Sequence, residues 1–355
     1  MRILIATDAW RPQVNGVVHT LEANAQAAKA LGAEVAFLTP DGFPSFAMPS
    51  YPGIRLALPR RDEIFRRIAG IRPDAIHIAT EGPIGHFARW YCTTNRRPFT
   101  TSFHTRFTDY ASARFPVPQG WTWAWLRWFH NAGRGTMVST PSLAEELRNQ
   151  GFRTVLRWPR GVDSRLFHPD RAGDLGLPRP VFLAVGRLAV EKNVEAFLAL
   201  DLPGSKVVVG DGPARETLAR RFPGATFLGT RRGAELASIY AAADVFVFPS
   251  RTDTFGLVLL EALASGLPVA GFPVAATRDV VGTAPVAALD EDLRSACLKA
   301  LTIPRAACRR YAEAMTWEES ARCFIGNLVR MPNVAAEAAS KSAPRRLEPA
   351  AWPGE

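Results

Sequence analysis

Asp253 and Glu261 stand eight positions apart, on either side of a Phe-Gly pair, in the run SRTDTFGLVLLEALASGLP (250–268). Two carboxylates at that spacing admit two readings. One is a turn residue followed by a half-exposed helix charge. The other is a site where backbone amides hold an anion and the carboxylates accept protons from hydroxyls. The local pattern bears on the choice. DVFVFPS (244–250) reads as a buried strand, RTDTFG as a turn, and LVLLEALASG as an apolar helix closed by Gly266. Phe255, Gly256 and Leu257 would then present amides at a helix N-terminus, where unpaired N–H groups favour an anion. Leu259, Leu260, Ala262 and Leu263 surround Glu261 with apolar residues, and a buried carboxylate needs partners, for which sugar hydroxyls are suited.

Two more strand ends carry polar residues. VFLAVG (181–186) runs into RLAVEKN, which puts Arg187 and Lys192 at the mouth of a turn. Arg as a fork and Lys as a point charge suit a diphosphate. Alone, the pair reads equally well as two solvated loop charges. SKVVVG (205–210) runs into DGP, where Gly212 would let a ligand come close to the backbone. That signal is weak by itself.

These residues need a scaffold, and the chain spells one out. Short β-branched runs alternate with helical patterns throughout, the mark of βα units and parallel sheets. In the first half the strands are RILIAT (2–7), EVAFLT (34–39), AIHIAT (75–80), FTTSFH (99–104) and GTMVST (135–140). A helix is expected over 19–32, and Ser142 with Glu145 reads as the capping box of another. The second half repeats the scheme with 181–186, 205–210, 225–229, 244–250 and 267–272, after a Pro/Gly-bearing linker, HPDRAGDLGLPRP (168–180). The expectation is an α/β protein of two doubly wound, Rossmann-like domains, 1–167 and 178–317, facing across a cleft. Ligands would sit at the carboxyl ends of the strands. A helix over 318–332 is expected to cross back to the first domain. The tail 333–355, rich in Ala, Pro and charge, is expected to be disordered.

Composition narrows the partners. The chain has 355 residues and a net charge of +10, of which residues 1–170 carry +8, with 21 Lys and Arg against 13 Asp and Glu. A phosphorylated substrate, an anionic membrane surface or nucleic acid would each suit a basic half, as would an arginine-rich proteome. Nucleic acid is disfavoured, because no recognisable reading motif is present. The four cysteines, Cys92, Cys297, Cys308 and Cys323, have neither disulfide-framework nor metal-type spacing. No cofactor or metal is expected, and a reducing cytoplasm fits. The apolar runs fall well short of the roughly 20 residues a bilayer span needs, and MRILIATDAW reads as a buried first strand rather than a signal peptide.

Taken in order and spacing, GRLAVEKN, GDGP and TDTFGLVLLEALASGLPV resemble the retaining nucleotide-sugar glycosyltransferases of the GT-B fold, family four. In the first half RPQVNGVVHTL (11–21), ATEGPIG (79–85), TSFHTRF (101–107) and RGVDSRLFHP (160–169) are similar to that family's acceptor-domain motifs. The resemblance implies a UDP- or GDP-sugar as co-substrate. It gives Arg187 and Lys192 the diphosphate, in place of a metal, and Glu261 the ribose hydroxyls. Asp253, with the backbone of Phe255, Gly256 and Leu257, would meet the transferred sugar. It also implies that Gly16 lets a first-domain loop approach the phosphates and that His104 stands at the sugar. Read without the family, His104 is equally a core histidine at a strand end. Asp253 is shorter by one methylene than the family's usual Glu, and Asn15-Gly16-Val17 has a single glycine where many members have two. Both departures bear on sugar preference. The family is thought to react on one face of the sugar, the leaving phosphate helping to deprotonate the acceptor.

The acceptor is read from the basic half. WTWAWLRWF (121–129) packs Trp121, Trp123, Trp125, Trp128 and Phe129 into nine residues, and RRDEIFRRIAGIRP (60–73) adds Arg66 and Arg67 among five arginines. Trp and Arg interleaved suit a membrane interface. Trp121, Trp125 and Trp128 also share one helical face, so a plain core helix is an equal reading. The first-half motifs resemble enzymes that transfer a hexose or hexuronate to diacylglycerol and GDP-mannose-dependent mannosyltransferases, and Glu81, in ATEGPIG, is an acceptor-side candidate. The expectation is a glycolipid synthase with a lipid acceptor, peripheral on the anionic inner face of the plasma membrane. A transferase with a soluble or polysaccharide acceptor and a sugar-nucleotide epimerase are the alternatives.

Overall fold

The computed structural model describes residues 1–13, 15–48, 51–104 and 118–328. The chain divides into two compact units. One comprises Met1–Pro159 together with the residues from Glu318 onward; the other is Arg160–Trp317.

The first unit runs β1 (Arg2–Ala6), α1 (Gly16–Ala30), β2 (Glu34–Leu38), a hairpin of β3 (Ser45–Met48) and β4 (Tyr51–Ala57), α2 (Arg61–Ile71), β5 (Ala75–Ile78), α3 (Pro83–Thr94), β6 (Thr100–Ser102), α4 (Gln119–His130), β7 (Thr136–Val138), α5 (Pro141–Asn149) and β8 (Val155–Arg157). Its six-stranded sheet has the order β2-β1-β5-β6-β7-β8, and every pairing is parallel. Ile3, Leu4 and Ile5 are fully buried in succession, as they must be in a strand covered on both faces.

The second unit runs β9 (Val181–Val185), α6 (Val194–Leu198), β10 (Ser205–Val209), α7 (Arg215–Arg221), β11 (Thr226–Gly229), α8 (Gly233–Ala242), β12 (Val245–Phe248), α9 (Leu257–Ala264), β13 (Val269–Gly271), α10 (Ala275–Val281), β14 (Ala287–Leu289), α11 (Leu293–Ala300) and α12 (Arg305–Glu313). Its sheet is again parallel, in the order β11-β10-β9-β12-β13-β14. The chain builds outward from β9 to β11, then restarts at β12 on the other side of β9. That reversal leaves a crevice at the carboxyl ends of β9 and β12, the place where open α/β sheets bind ligands.

The last helix, α13 (Trp317–Asn327), belongs to the first unit from Glu318 onward. Phe324 is buried with its ring 4.7 Å from that of Trp158 and 5.0 Å from that of His77. Ser320 Oγ donates to Pro159 O at 2.7 Å. The tail 333–355 lies outside the described residues.

Local details differ from the sequence reading. Helix α5 is capped by Thr140, whose hydroxyl accepts from Leu143 N, and Pro141 takes the first helical position. Ser142 is inside the helix, so the expected capping box does not form; Pro141, with no N–H to lose, fixes the start. Residues 168–180 include one 3-10 turn, Pro169–Arg171. Each sheet has a sixth strand, β8 and β14, of only three residues.

Candidate functional site

The crevice of the second unit is furnished from two loops. Gly186 and Arg187 follow β9, and a 3-10 turn, Val190–Lys192, is closed by Asn193 in the left-handed conformation (φ 51°). Asn193 Nδ2 donates to Pro249 O at 3.1 Å, while the hydroxyl of Thr252 donates to Glu191 O at 3.3 Å. These bonds tie the loop after β9 to the loop after β12. Lys192 Nζ thereby reaches Asp253 Oδ1 in a direct ion pair. Arg187 Nη2 donates to Glu191 Oε1 at 2.8 Å. The two cations expected at the strand ends are therefore present together with two carboxylates, and the Lys192–Asp253 and Arg187–Glu191 pairings were not visible in the sequence.

Asp253 is unevenly satisfied. Oδ1 meets Lys192, whereas Oδ2 is buried with no hydrogen-bond partner among the described residues. A buried acceptor without a donor costs roughly 1–3 kcal/mol. Such an atom is a natural receptor for a ligand hydroxyl.

Past Asp253 the chain turns through Gly256 (φ 81°) into α9, whose N-terminus has no side-chain cap. Gly256 is needed there, since the left-handed turn disfavours a Cβ and one would stand 3.0 Å from the Phe248 ring. Leu257 and Val258 open the helix half-buried, and no side chain caps their amides. One turn on, Glu261 lies among fully buried Leu259, Leu260, Ala262 and Leu263. The Tyr240 hydroxyl donates to its Oε2 at 3.1 Å. Burial pushes the Glu261 carboxyl up to about 7, against the opposing pull of the Tyr240 hydrogen bond. The residue as a whole is half-buried. Tyr240, from α8, was missed in the sequence because an aromatic in an apolar helix gives no sign of its hydroxyl's partner.

Gly212 has a packing reason beside the expected one. A Cβ there would stand 2.4 Å from Leu188 O, and one at Gly210 would stand 1.9 Å from Gly186 O. The glycines allow two loop backbones of the protein itself to touch. That contact holds the Arg187–Leu188 segment in place, with Leu188 N donating to Asp211 O at 2.9 Å.

The first unit holds the remaining candidates. Gly16 is exposed at the start of α1, where Asn15 Oδ1 already accepts from Val17 N and Val18 N. His104 stands two residues past the end of β6, with Nε2 2.8 Å from Ser102 Oγ. Glu81 Oε1 lies 3.1 Å from Nε2 of the buried His130, whose Nδ1 is 2.8 Å from Thr101 Oγ1. Asp8, not a site candidate in the sequence, accepts from Ile84 N, Gly85 N and Thr80 Oγ1 and so anchors the start of α3; burial raises its pKa.

The aromatic helix is settled more sharply. The core face of α4 is Thr122, Leu126, Phe129 and His130. Trp121 is 74% and Trp128 53% exposed, so the face they share is not the core face. Trp125 is half-buried and stacks on His86 at 5.6 Å. Arg89 lies 3.7 Å above Trp128, and Arg61 4.7 Å above the exposed Trp90 of α3. Arg66 is exposed, whereas Arg67 is engaged by Glu63 and by the Phe43 ring at 4.1 Å. No described helix is long and apolar enough to cross a membrane.

Known proteins place this architecture. Residues 14–166 match the model of Glycosyltransferase Family 4, and residues 179–302 that of Glycosyl transferases group 1. A GDP-mannose-dependent alpha-mannosyltransferase of Mycobacterium tuberculosis is 31% identical over 308 residues, 79% of this chain and 81% of its own length. An alpha-monoglucosyldiacylglycerol synthase of Acholeplasma laidlawii is 28% identical over 326 residues, covering 76% and 79%. Among solved structures, sucrose-phosphate synthase of Thermosynechococcus elongatus superposes with a TM-score of 0.70 at 20% identity, over 91% of this chain and 97% of that one. With its two parallel-sheet Rossmann-like units, the chain belongs to glycosyltransferase family 4 and has the GT-B fold, a transferase that takes its sugar from a nucleotide sugar.

Proposed function

We propose that the enzyme moves a hexose or hexuronate from a UDP- or GDP-sugar to a membrane lipid, diacylglycerol, with retention at the anomeric carbon and without a metal ion. The observation that carries the donor assignment is Asp253, one oxygen on Lys192 and the other buried without a donor. Lys192 and Arg187 take the diphosphate, the amides of Gly256 and Leu257 assist, and Glu261 receives the ribose hydroxyls. Asp253 Oδ2 then accepts from the transferred sugar. The family resemblance assigns His104 to that sugar and Gly16 to the phosphates.

The chemistry follows from where charge develops. As the bond from the anomeric carbon to the diphosphate oxygen breaks, positive charge grows on the sugar and negative charge on the leaving group. Fixed cations and amides at the leaving group lower that barrier. The acceptor hydroxyl oxygen bonds to the anomeric carbon, and its proton passes to the departing phosphate. The charge that a metal ion would neutralise is matched by Lys192 and Arg187.

The lipid acceptor is supported by the exposed Trp121 and Trp128 with Arg89, by Trp90 with Arg61, and by the basic balance of this half. Exposed tryptophans beside arginines suit the headgroup region of an anionic bilayer. The protein would act as a peripheral enzyme at the cytoplasmic membrane face. The alpha-monoglucosyldiacylglycerol synthase relative supports the lipid acceptor. A second reading, mannosyl transfer from GDP-mannose to a soluble or polysaccharide acceptor, is favoured by the mannosyltransferase relative. Offering a panel of UDP- and GDP-sugars with diacylglycerol vesicles, and identifying products by mass, decides between them. A glycosylated diacylglycerol is expected; turnover that needs no lipid would overturn the acceptor assignment.

A further inference from the structure

Strand β6 is Thr100-Thr101-Ser102, three consecutive hydroxyl residues, all fully buried inside a parallel sheet. Apolar β-branched residues ordinarily fill such a strand, and a buried hydroxyl is tolerated only when hydrogen-bonded. Each of the three has an imidazole for a partner. Thr101 faces His130 on one side of the sheet. Thr100 and Ser102 face the other side and bracket His77, a fully buried histidine in the middle of β5.

The Ser102 chain leads to the strand end. Ser102 Oγ is 2.8 Å from His104 Nε2, 3.1 Å from His77 Nε2 and 3.3 Å from Ala79 O. A serine hydroxyl has one proton and two lone pairs. The Ala79 carbonyl can only accept. All three contacts are satisfied when Ser102 donates to Ala79 and both imidazoles donate to Ser102 through Nε2–H. Thr100 Oγ1, 2.9 Å from His77 Nδ1, then donates to that nitrogen. The rings are also held from the side: Trp158 lies 5.6 Å from both His77 and His104, and Phe324 of α13 packs at 5.0 Å on His77. Trp158 itself donates through Nε1 to Asn24 Oδ1 at 3.4 Å.

We propose that Ser102, backed by His77, is a positioning residue that holds His104 as its Nε2–H tautomer. The hydrogen bond on one ring nitrogen fixes the state of the other, so Nδ1 of His104 becomes an acceptor, to which a sugar hydroxyl can donate. This rests on the assignment of His104 to the sugar made above. It also explains why a polar strand is retained in the interior of the sheet.

The chain has six histidines, few enough for long-range proton–nitrogen correlation of the labelled protein, with assignment by His77→Gln and His104→Gln. The wild-type spectrum is expected to show both His77 and His104 as Nε2–H tautomers; an Nδ1–H state of His104 overturns the proposal without any variant. Ser102→Ala is expected to shift the His104 nitrogens and to slow transfer by roughly tenfold, as loss of orientation does, with the donor KM little changed. Ser102→Thr, which keeps the hydroxyl, should restore the rate. In a His104→Gln background Ser102→Ala should cost nothing further, because the two act as one unit; an additive loss means that Ser102 serves packing alone and sinks the proposal. Wild-type rates in His104→Gln would remove His104 from the sugar, a separate failure, which leaves the spectra to decide the tautomer.

Discussion

Replacing Glu261 by glutamine separates what this side chain does for the ligand from what it does to the fold. Burial holds its carboxyl at about 7 instead of 4.5. With a folded-state value raised above the unfolded one, the unfolded chain loses its proton first as the pH climbs. Stability is therefore intact below about pH 4.5, declines through the interval up to about 7, and stays reduced above it. At 1.36 kcal/mol per pH unit the full interval corresponds to roughly 3 kcal/mol. Glu261 is half-buried as a residue, so solvent screens part of this, leaving about 1–3 kcal/mol. Glutamine has nearly the same shape and can still accept from Tyr240, but carries no charge. The ligand-free Glu261→Gln protein should thus be more stable than wild type at pH 8 by about 1–3 kcal/mol. For a unit of this size each kcal/mol moves the melting midpoint by roughly 2–4 °C. The advantage should vanish toward pH 4.5. Thermal melts of both proteins from pH 4.5 to 8.5 read this directly. A variant that melts lower at pH 8, or a difference that does not change with pH, would show that burial does not hold the proton on Glu261.

Other expectations follow from the same geometry. Lys192→Ala removes the partner of Asp253 and the nearest charge for a diphosphate, and transfer should fall by about 10²–10³-fold, measured as steady-state turnover of a saturating donor. Gly212→Ala places a Cβ 2.4 Å from Leu188 O and should destabilise the second unit by about 1–3 kcal/mol, seen as a lower urea midpoint. Trp121→Ser with Trp128→Ser should weaken sedimentation with anionic vesicles severalfold while melting unchanged, since neither side chain is in the core.

Much of the site was legible because its residues are the punctuation of a repeating βα pattern. Asp253, Arg187 and Lys192 follow buried strands, and Glu261 interrupts an apolar helix; position relative to the strands is enough to gather them at the β9/β12 reversal. The pairings were not legible. That Lys192 takes Asp253 depends on Asn193 turning left-handed and bonding to Pro249 O, a tertiary contact across 56 residues. The packing of Gly212 against Leu188 was not legible either, because a glycine's close approach looks the same in sequence whichever backbone makes it. The capping box at Ser142 lost to Thr140 because Pro141 dictates the helix start. Strands β8 and β14 are too short for any period to show. The three tryptophans on one face of α4 left core and surface undecided, and only packing, with Leu126 and Phe129 turned inward, resolved them.

In the proposed site Glu261 receives the nucleotide ribose as an ionised carboxylate. Because that carboxyl is partly protonated near pH 7 in the free protein, binding must expel a proton. Calorimetric titration of UDP and GDP at pH 7, in buffers of different ionisation enthalpy, counts protons released by wild type and by Glu261→Gln. Wild type is expected to release a fraction of a proton more than the variant and to bind the nucleotide at least tenfold tighter. Equal proton counts with equal affinities would mean that Glu261 does not hold the ribose.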